Sequence, residues 1–148
     1  MLGLHAQFLE TAQGELVGIF HPNEHHQSYP GRVHGGICAA MLDELIGRAA
    51  NIENPDLWGV TIELKTKYRK PVPYDGPVTA RARITRDTSR VFEGTGEILL
   101  DDGTIAVQAW GRYLTLPMEK INAQSAASMD TEIQADNRII PDFVEVGL

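Results

Sequence analysis

The stretch of sequence that decides the fold is residues 34–50, HGGICAAMLDELIGRAA. From Ile37 to Ala50 it is dense in alanine, leucine and methionine, which favour a helix. The segment that follows, 51–57, contains Asn54-Pro55-Asp56 and ends the predicted helix. The sequence therefore predicts one central helix, over residues 37–50, with other elements on either side of it.

Four stretches after this helix have the alternation and the turn residues of β-strands. The first, 58–69, is predicted to place one set of side chains on each face: Trp58, Val60, Ile62, Leu64 and Tyr68 on the apolar face, and Thr61, Glu63, Lys65, Lys67 and Arg69 on the polar face. The other predicted strands are 78–87, 91–100 and 104–116, with a shorter strand over 15–20 and no element assigned before it. One helix against a mostly antiparallel sheet is an α+β architecture. Because such a sheet leaves edges and one face uncovered, we expect at least a dimer.

Composition narrows the class of protein. The chain has 148 residues, of which 43% are hydrophobic, so we assign one domain to residues 1–116 and a C-terminal extension, a helix or a loose tail, to residues 117–148. The net charge of −7 argues against nucleic-acid binding, and no stretch is long and apolar enough to cross a membrane. A single cysteine excludes a disulfide framework, and the start of the chain lacks the pattern of a secretory signal. We therefore expect a cytoplasmic protein.

Asp43 has distinctive surroundings in the predicted helix. At helical spacing it shares a face with small residues only: Gly36, Ala39, Ala40, Gly47 and Ala50. Glu44, in contrast, lies four residues before Arg48, which predicts an ion pair on the solvent side. A carboxylate in a groove of small residues either serves chemistry or accepts hydrogen bonds from a neighbouring subunit.

The tripeptide His34-Gly35-Gly36 comes directly before the predicted helix. Two glycines at a helix N-terminus let a carbonyl or an anion approach free backbone N–H groups, and the helix dipole strengthens that interaction. This is the arrangement of an oxyanion hole, so Gly35 and Gly36 are candidate substrate-binding residues. Together with Asp43 they predict acyl chemistry, in which the N–H groups polarise a carbonyl and the carboxylate activates water or attacks directly.

Residues 33–44, VHGGICAAMLDE, resemble the signature of the PaaI-like hotdog-fold acyl-CoA thioesterases, in which an HGG turn opens the central helix and an aspartate follows. Later segments are also similar to that family: GVTIEL at 59–64, YRKPV at 68–72, and parts of 93–113. The resemblance covers about residues 15–116. It implies the hotdog fold, a long antiparallel sheet wrapped around one central helix. It also implies hydrolysis of an acyl-CoA to a carboxylic acid and free CoA, with no metal or redox cofactor.

The resemblance further implies a role for each matched residue. Asp43 is the nucleophile or general base, and Thr61 lies near the catalytic water. Gly35 polarises the thioester carbonyl through its N–H, and His34 orients the thioester or the water. Ser28 stands where many relatives have an asparagine, and Gln27 beside it is the other candidate for that role. The family builds its site across a homodimer, often within a tetramer, so Asp43 is expected to face the HGG turn of the partner subunit.

Positive charge is concentrated in the middle of the chain. Residues 65–90 hold eight lysines and arginines against two aspartates, a net charge of +6 within an acidic protein. Such a segment is either a phosphate-binding rim or the solvated face of strands. We expect some of four residues in it to contact the phosphates of CoA: Lys65, Lys67, Arg86 and Arg90.

Some features of the sequence are compatible with functions other than hydrolysis. Four histidines lie within fourteen residues, but without a cysteine or a fixed spacing they predict no metal site: His21, His25, His26 and His34. Residues 25–31, HHQSYPG, distantly resemble the loop of acyl-carrier-protein dehydratases, so a hotdog enoyl-thioester hydratase or dehydratase is one alternative. A non-catalytic acyl-CoA-binding module is another. Cys38, on the helix face opposite Asp43, is predicted to be a core thiol.

Overall fold

One antiparallel sheet wraps the central helix, as the α+β interpretation predicts. The structure is a computed structural model that describes residues 4–117, 119 and 120. Its elements in chain order are β1 (Gln7–Glu10), β2 (Leu16–Phe20), α1 (Gly35–Ala49), β3 (Leu57–Tyr68), β4 (Val78–Asp87), β5 (Val91–Leu99) and β6 (Ile105–Pro117), with short 3₁₀ turns at Glu24–His26 and Ala50–Ile52. The hotdog fold is confirmed.

Helix α1 begins two residues earlier than predicted, because the side chain of His34 caps it. The Nδ1 atom of His34 accepts a hydrogen bond from the N–H of Gly36 at 2.9 Å. The two glycines therefore form the first turn of the helix rather than a turn before it. The buried face of α1 packs against the concave side of the sheet: Cys38, Met41, Leu42, Leu45, Ile46 and Ala49.

The strands lie in the order β1-β2-β4-β5-β6-β3, and every neighbouring pair is antiparallel. Strand β1 is missing from the sequence prediction because its four residues, QFLE, are too few to show an alternation. It adds to the far edge of the sheet by pairing with β2. At the opposite edge lies β3, one side of which has no neighbouring strand within residues 4–117.

A β-bulge at Ile62 divides β3 into two halves that face opposite ways. Thr61 pairs with Tyr113 and Glu63 pairs with Arg112, its neighbour on β6, so Ile62 is an extra residue between them. Facing the helix are Gly59 and Thr61 before the bulge and Leu64, Thr66 and Tyr68 after it; facing away are Trp58 and Val60 before it and Glu63, Lys65 and Lys67 after it. The prediction of one continuous apolar face on this strand is therefore wrong, because strict alternation fails at an added residue.

The convex face of the sheet is a lattice of ion pairs. Arginines of β4 and β6 meet glutamates of β5: Arg81 contacts Glu97 at 2.8 Å, Arg112 contacts Glu93 at 2.8 Å, and Arg86 contacts Glu93 at 3.8 Å. Within β3, Lys65 contacts Glu63 at 3.0 Å, and Glu15, the residue before β2, contacts Arg83 of β4 at 3.3 Å. Much of the positive charge of segment 65–90 is thus balanced in space by acids from outside that segment.

Two further expectations concern the ends of the domain and membranes. The predicted C-terminal extension begins at Pro117, the last residue of β6, and the rest of it lies outside the described residues apart from 119 and 120. Within the part of the chain that the structure describes, no helix combines the length and the apolar character needed to cross a membrane.

Candidate active site

Asp43 lies in the third turn of α1, and its carboxylate points toward strands β3 and β6. The hydroxyl of Thr61 donates to it, at 2.9 Å from Oδ1 and 3.2 Å from Oδ2. The hydroxyl of Tyr113 lies 3.0 Å from Oδ1 and 3.2 Å from the backbone oxygen of Asp43. The structure therefore brings together Asp43 and Thr61, both predicted site residues, and adds Tyr113, which the sequence analysis missed.

The ring of Tyr113 is fixed by close packing. It stacks on Phe92 with ring centroids 4.9 Å apart and an interplanar angle of 9°. A Cβ at Gly59 of β3 would lie 2.4 Å from the Phe92 ring, and a Cβ at Gly111 of β6 would lie 2.6 Å from the Tyr113 ring. Only glycine therefore leaves room for the two rings. Burial first, and then the charge and the hydrogen bond of Asp43, raise the pKa of Tyr113.

The HGG turn forms a second centre at the N-terminus of α1. Gly36 donates its N–H to His34, whereas within residues 4–117 the N–H of Gly35 donates to no other group. The carbonyl of Gly35 accepts a hydrogen bond of 2.7 Å from the hydroxyl of Tyr68. Because Nδ1 of His34 is an acceptor, a neutral ring carries its proton on Nε2 and can donate from there. Of the two predicted glycine N–H groups, only that of Gly35 is thus free to bind a ligand.

The two centres are separate within one protomer. Asp43 lies nine positions after His34, a rise of about 13.5 Å at 1.5 Å per residue. Strand β3 runs beside the helix in the opposite direction, with Thr61 next to Asp43 and Tyr68 next to Gly35. A single chain therefore holds the carboxylate at one point of the strand and the free N–H at another.

A cleft of about 420 Å³ opens beside Asp43. Its apolar lining comes from β1, β2, β3 and the segment between the helix and β3: Phe8, Leu16, Ile52, Pro55 and Trp58. Charged side chains also line it: Glu10, Glu44 and Arg48. The predicted pair of Glu44 with Arg48 is present, at 2.5 Å, and the Arg48 guanidinium also lies 4.7 Å above the Phe8 ring. A carboxylate at the mouth of a partly apolar cleft suits a ligand with an apolar part.

The loop before the helix holds the remaining predicted residues. Ser28 is exposed, and its hydroxyl makes no hydrogen bond within residues 4–117, while Gln27 bridges to Val33. His26 accepts from the N–H of Asn23 through Nδ1, and its carbonyl accepts from the N–H of His34 at 2.8 Å. Burial first, and then the nearby His25 and His5, lower the pKa of His26. In the described ranges, no three His, Cys, Asp or Glu side chains are grouped as a metal site requires.

The four predicted phosphate-binding residues have different surroundings. Lys65 and Lys67 lie on the convex face of the sheet, opposite to Asp43, and Lys65 sits 4.9 Å above the Trp110 ring. Arg86 is paired with Glu93, as Lys65 is with Glu63. Lys67 and Arg90 have no carboxylate within 4.0 Å in the described part of the chain. Within one protomer, none of the four hydrogen-bonds to Asp43, and their contact with phosphates stays a prediction.

Cys38 is a buried core thiol, as predicted. It is 2% exposed and lies on the core face of α1. Burial raises the pKa of its thiol to about 11, so the thiolate is scarce at neutral pH. Cys38 is therefore not a nucleophile of this site.

Comparison with known proteins places this geometry in context. Residues 30–107 match the family model described as the thioesterase superfamily. The chain is 34% identical to a protein of Saccharolobus solfataricus named as an esterase, over 76% of this chain and 80% of that protein. It is 27% identical to acyl-coenzyme A thioesterase THEM4 of Mus musculus, over 78% of this chain and 50% of that protein, so it spans about half the length of that relative. A thioesterase structure from Haemophilus influenzae shares the fold, with a TM-score of 0.70 at 15% identity over 78% of this chain and 80% of that one.

Proposed function

The chain belongs to the thioesterase superfamily, and on that premise we propose that it hydrolyses an acyl-CoA thioester to a carboxylic acid and free CoA. The observation that carries the proposal is the Asp43 carboxylate, which Thr61 and Tyr113 hold at the mouth of a partly apolar cleft. The acyl group occupies this cleft. The HGG turn supplies the free N–H of Gly35 for the thioester carbonyl.

In the proposed reaction, either Asp43 takes a proton from water as the water oxygen bonds to the carbonyl carbon, or an Asp43 oxygen bonds to that carbon and water later hydrolyses the resulting mixed anhydride. In both routes the carbon–sulfur bond breaks and the proton released from water ends on the departing sulfur. Negative charge on the carbonyl oxygen is stabilised by the Gly35 N–H and the N-terminal dipole of α1. His34, with its Nε2 proton, orients the thioester or the water, and Ser28 or Gln27 adds a polar contact from the loop. The sulfur leaves as the thiolate of CoA, which the proton from water converts to the free thiol. Hydrolysis in ¹⁸O-labelled water separates the two roles of Asp43, because only a nucleophilic carboxylate gains the label over repeated turnovers.

We further propose that the working site is shared between two copies of the chain. The free edge of β3 can pair with the same edge of a second copy around a two-fold axis. Antiparallel pairing centred on Lys65 would keep side chains of the same face opposite one another and bring the bulge at Thr61 and Ile62 beside Tyr68 of the partner subunit. Thr61 is hydrogen-bonded to Asp43, and Tyr68 is hydrogen-bonded to Gly35. This pairing therefore brings together the two centres that one protomer keeps apart. A tetramer is a further step of the same proposal, and Lys65, Lys67, Arg86 and Arg90 are offered as contacts for the CoA phosphates.

The test of hydrolysis is release of free CoA from a panel of short-chain, medium-chain and aromatic acyl-CoAs, followed with a chromogenic disulfide reagent. We expect at least one member to be cleaved and Asp43→Asn to lose at least about 100-fold in kcat. Asp101→Asn is the matched control, because it makes the same change at an exposed carboxylate in the turn between β5 and β6, away from the cleft, and we expect it to retain parent activity. If no acyl-CoA is cleaved, or if Asp43→Asn equals the parent, the assignment is wrong. Hydration of an enoyl-CoA would favour the hydratase alternative, and tight binding without turnover would favour a binding module.

Co-expression of two inactive variants tests the shared site. Asp43→Asn removes the carboxylate, and His34→Asn removes the imidazole while keeping a residue that caps helices well. In a mixed dimer with shared sites, one site has both native groups, so about a quarter of parent activity should return. If each site lies within one chain, the mixture will be no more active than the average of the two variants. Sedimentation of the parent as a monomer at assay concentration would also contradict the proposal.

A further inference from the structure

We propose that Tyr113 is a positioning residue that determines which oxygen of Asp43 reacts. The proposal rests on the proposed thioesterase function for its consequence in catalysis. Its geometric basis is independent of that function, because it depends only on the contacts of the Asp43 carboxylate.

The two oxygens of Asp43 have unequal partners. Oδ1 lies 2.9 Å from the Thr61 hydroxyl and 3.0 Å from the Tyr113 hydroxyl, whereas the one contact of Oδ2 within residues 4–117 is the longer one of 3.2 Å to Thr61. Each hydroxyl has one proton, and each carboxylate oxygen accepts about two hydrogen bonds. When Thr61 and Tyr113 both donate to Oδ1, that oxygen is fully used. Oδ2 is then the oxygen that remains available to activate water or to attack the thioester.

Tyr113 can impose this choice because its ring cannot move aside. The residue is 1% exposed, its ring stacks on Phe92, and Gly59 and Gly111 provide the space that the two rings fill. The hydroxyl held by this packing lies 3.0 Å from Oδ1 and 3.2 Å from the backbone oxygen of Asp43, and the nearer, charged Oδ1 is the stronger acceptor for its proton. The contact is therefore in place before substrate binds, which is the condition for preorganised catalysis. Thr61 alone distinguishes the two oxygens less well, because its hydroxyl is within hydrogen-bond distance of both.

The charged groups around Asp43 are paired with each other or lie across the cleft. The Tyr113 hydroxyl is therefore the donor that the charge of Asp43 affects most directly. Helix α1 contributes Glu44 and Arg48, which are paired with each other, and β1 contributes Glu10 across the cleft. Strand β3 contributes Thr61 and β5 contributes Phe92, neither of which carries charge. From β6, Tyr113 stays protonated across the working range of pH, because burial and the neighbouring carboxylate raise its pKa. Its hydroxyl therefore stabilises the ionised carboxylate at every pH at which an assay is run.

Tyr113→Phe tests the inference by removing the hydroxyl and keeping the ring. We expect kcat to fall roughly tenfold to a hundredfold with KM within about twofold, the loss typical of a hydrogen bond to a charged group. The acidic limb of the kcat/KM profile should move to higher pH, because the ionised carboxylate loses a donor. Tyr74→Phe, which removes a hydroxyl from another partly buried tyrosine of the domain, is the matched control and should leave both quantities unchanged. An active Tyr113→Phe protein with parent kcat and an unmoved acidic limb would overturn the inference.

A proton NMR measurement on the parent protein keeps the test independent of activity and of how the variant folds. A tyrosine hydroxyl proton bonded to a carboxylate is expected to exchange slowly and to resonate downfield. The signal should be absent from Tyr113→Phe, shift upfield in Asp43→Asn and persist in Tyr74→Phe. If the parent cleaves no acyl-CoA but shows this signal, the thioesterase proposal fails while the positioning contact stands. If the parent is an active thioesterase and no Asp43-dependent hydroxyl signal is found, the positioning inference fails alone.

Discussion

Replacing Gly59 by alanine tests how tightly the rings behind Asp43 are held. The added Cβ would lie 2.4 Å from Cζ of Phe92 and 3.0 Å from Cβ of Tyr113. Carbon atoms in good contact are about 3.5 Å apart or more, so the Phe92 ring would have to retreat by roughly 1 Å. Phe92 is fully buried, and a close-packed interior has no space of that size to give.

The expected loss of stability follows from this overlap. Overpacking a core by one methyl group costs about 1–3 kcal/mol. Replacing glycine also restricts the unfolded chain, which returns up to about 1 kcal/mol. We therefore expect Gly59→Ala to lower the free energy of unfolding by about 1–2 kcal/mol, or roughly fivefold to thirtyfold in the ratio of folded to unfolded protein. Because the displaced Phe92 ring stacks on Tyr113, we also expect kcat to fall.

Equilibrium unfolding in urea measures the effect, with Gly47→Ala as the matched control. A Cβ at Gly47 would meet the same Tyr113 ring at 3.6 Å, an ordinary contact, and alanine favours the helix that contains it. Gly47→Ala should therefore raise stability by about 0.5–1 kcal/mol. If Gly59→Ala is as stable as the parent, the rings are not confined as described, and the argument that Tyr113 directs Oδ1 loses its basis.

Three other predictions follow from single contacts. Thr61→Val keeps the shape of the side chain but removes the donor to both oxygens of Asp43. The kcat measured on the best acyl-CoA should therefore fall about tenfold or more, with an unchanged melting temperature. A parent-like kcat would exclude a role for this hydroxyl. Cys38, whose pKa burial raises to about 11, should not react with a disulfide reagent until urea unfolds the protein, and a fast reaction of the folded protein would contradict its burial. His26 has a lowered pKa in the folded protein, so the unfolded chain binds the proton more tightly and stability should fall as pH drops below about 6.5. In His26→Gln, which can keep the cap on Asn23 without titrating, melting temperatures measured from pH 7.5 to 5 should lack this part of the decrease, and identical pH dependence in both proteins would refute it.

The sequence was sufficient to predict the helix and the setting of Asp43. Alanine, leucine and methionine mark the helix, and helical spacing alone separates the site face of Asp43 from the solvent pair of Glu44 and Arg48, which the structure contains. The predicted start of the helix lies two residues after the true one, because a histidine side chain that caps through Nδ1 leaves no regular pattern in the sequence. The closeness of Thr61 to Asp43 came from a resemblance rather than from the residues, because eighteen positions separate the two residues along the chain.

Other features depend on contacts across the sheet and could not be predicted. In the sequence, Tyr113 is one more alternating residue of the predicted strand β6. The residues around it give no sign that its hydroxyl reaches a carboxylate seventy positions away. The positive charge of segment 65–90 seemed concentrated because its partners Glu15, Glu93 and Glu97 lie elsewhere in the sequence. Strand β1 was not predicted because four residues are too few to show a periodic pattern.

The extra residue in β3 has a consequence for how this chain is compared with others and redesigned. Thr61 and Lys65 are an even number of positions apart, yet their side chains lie on opposite surfaces of the sheet, since Ile62 intervenes without a pairing partner. A homologue that lacks only Ile62 would keep both orientations, because Thr61 and Glu63 already pair with neighbouring residues of β6. An alignment should therefore place any gap at Ile62 and treat the two sides as separate blocks. Removing Ile62 would therefore straighten the strand and leave each side chain on its present surface, whereas a deletion on either side of it, with the bulge kept, would move the side chains beyond the deletion to the other surface.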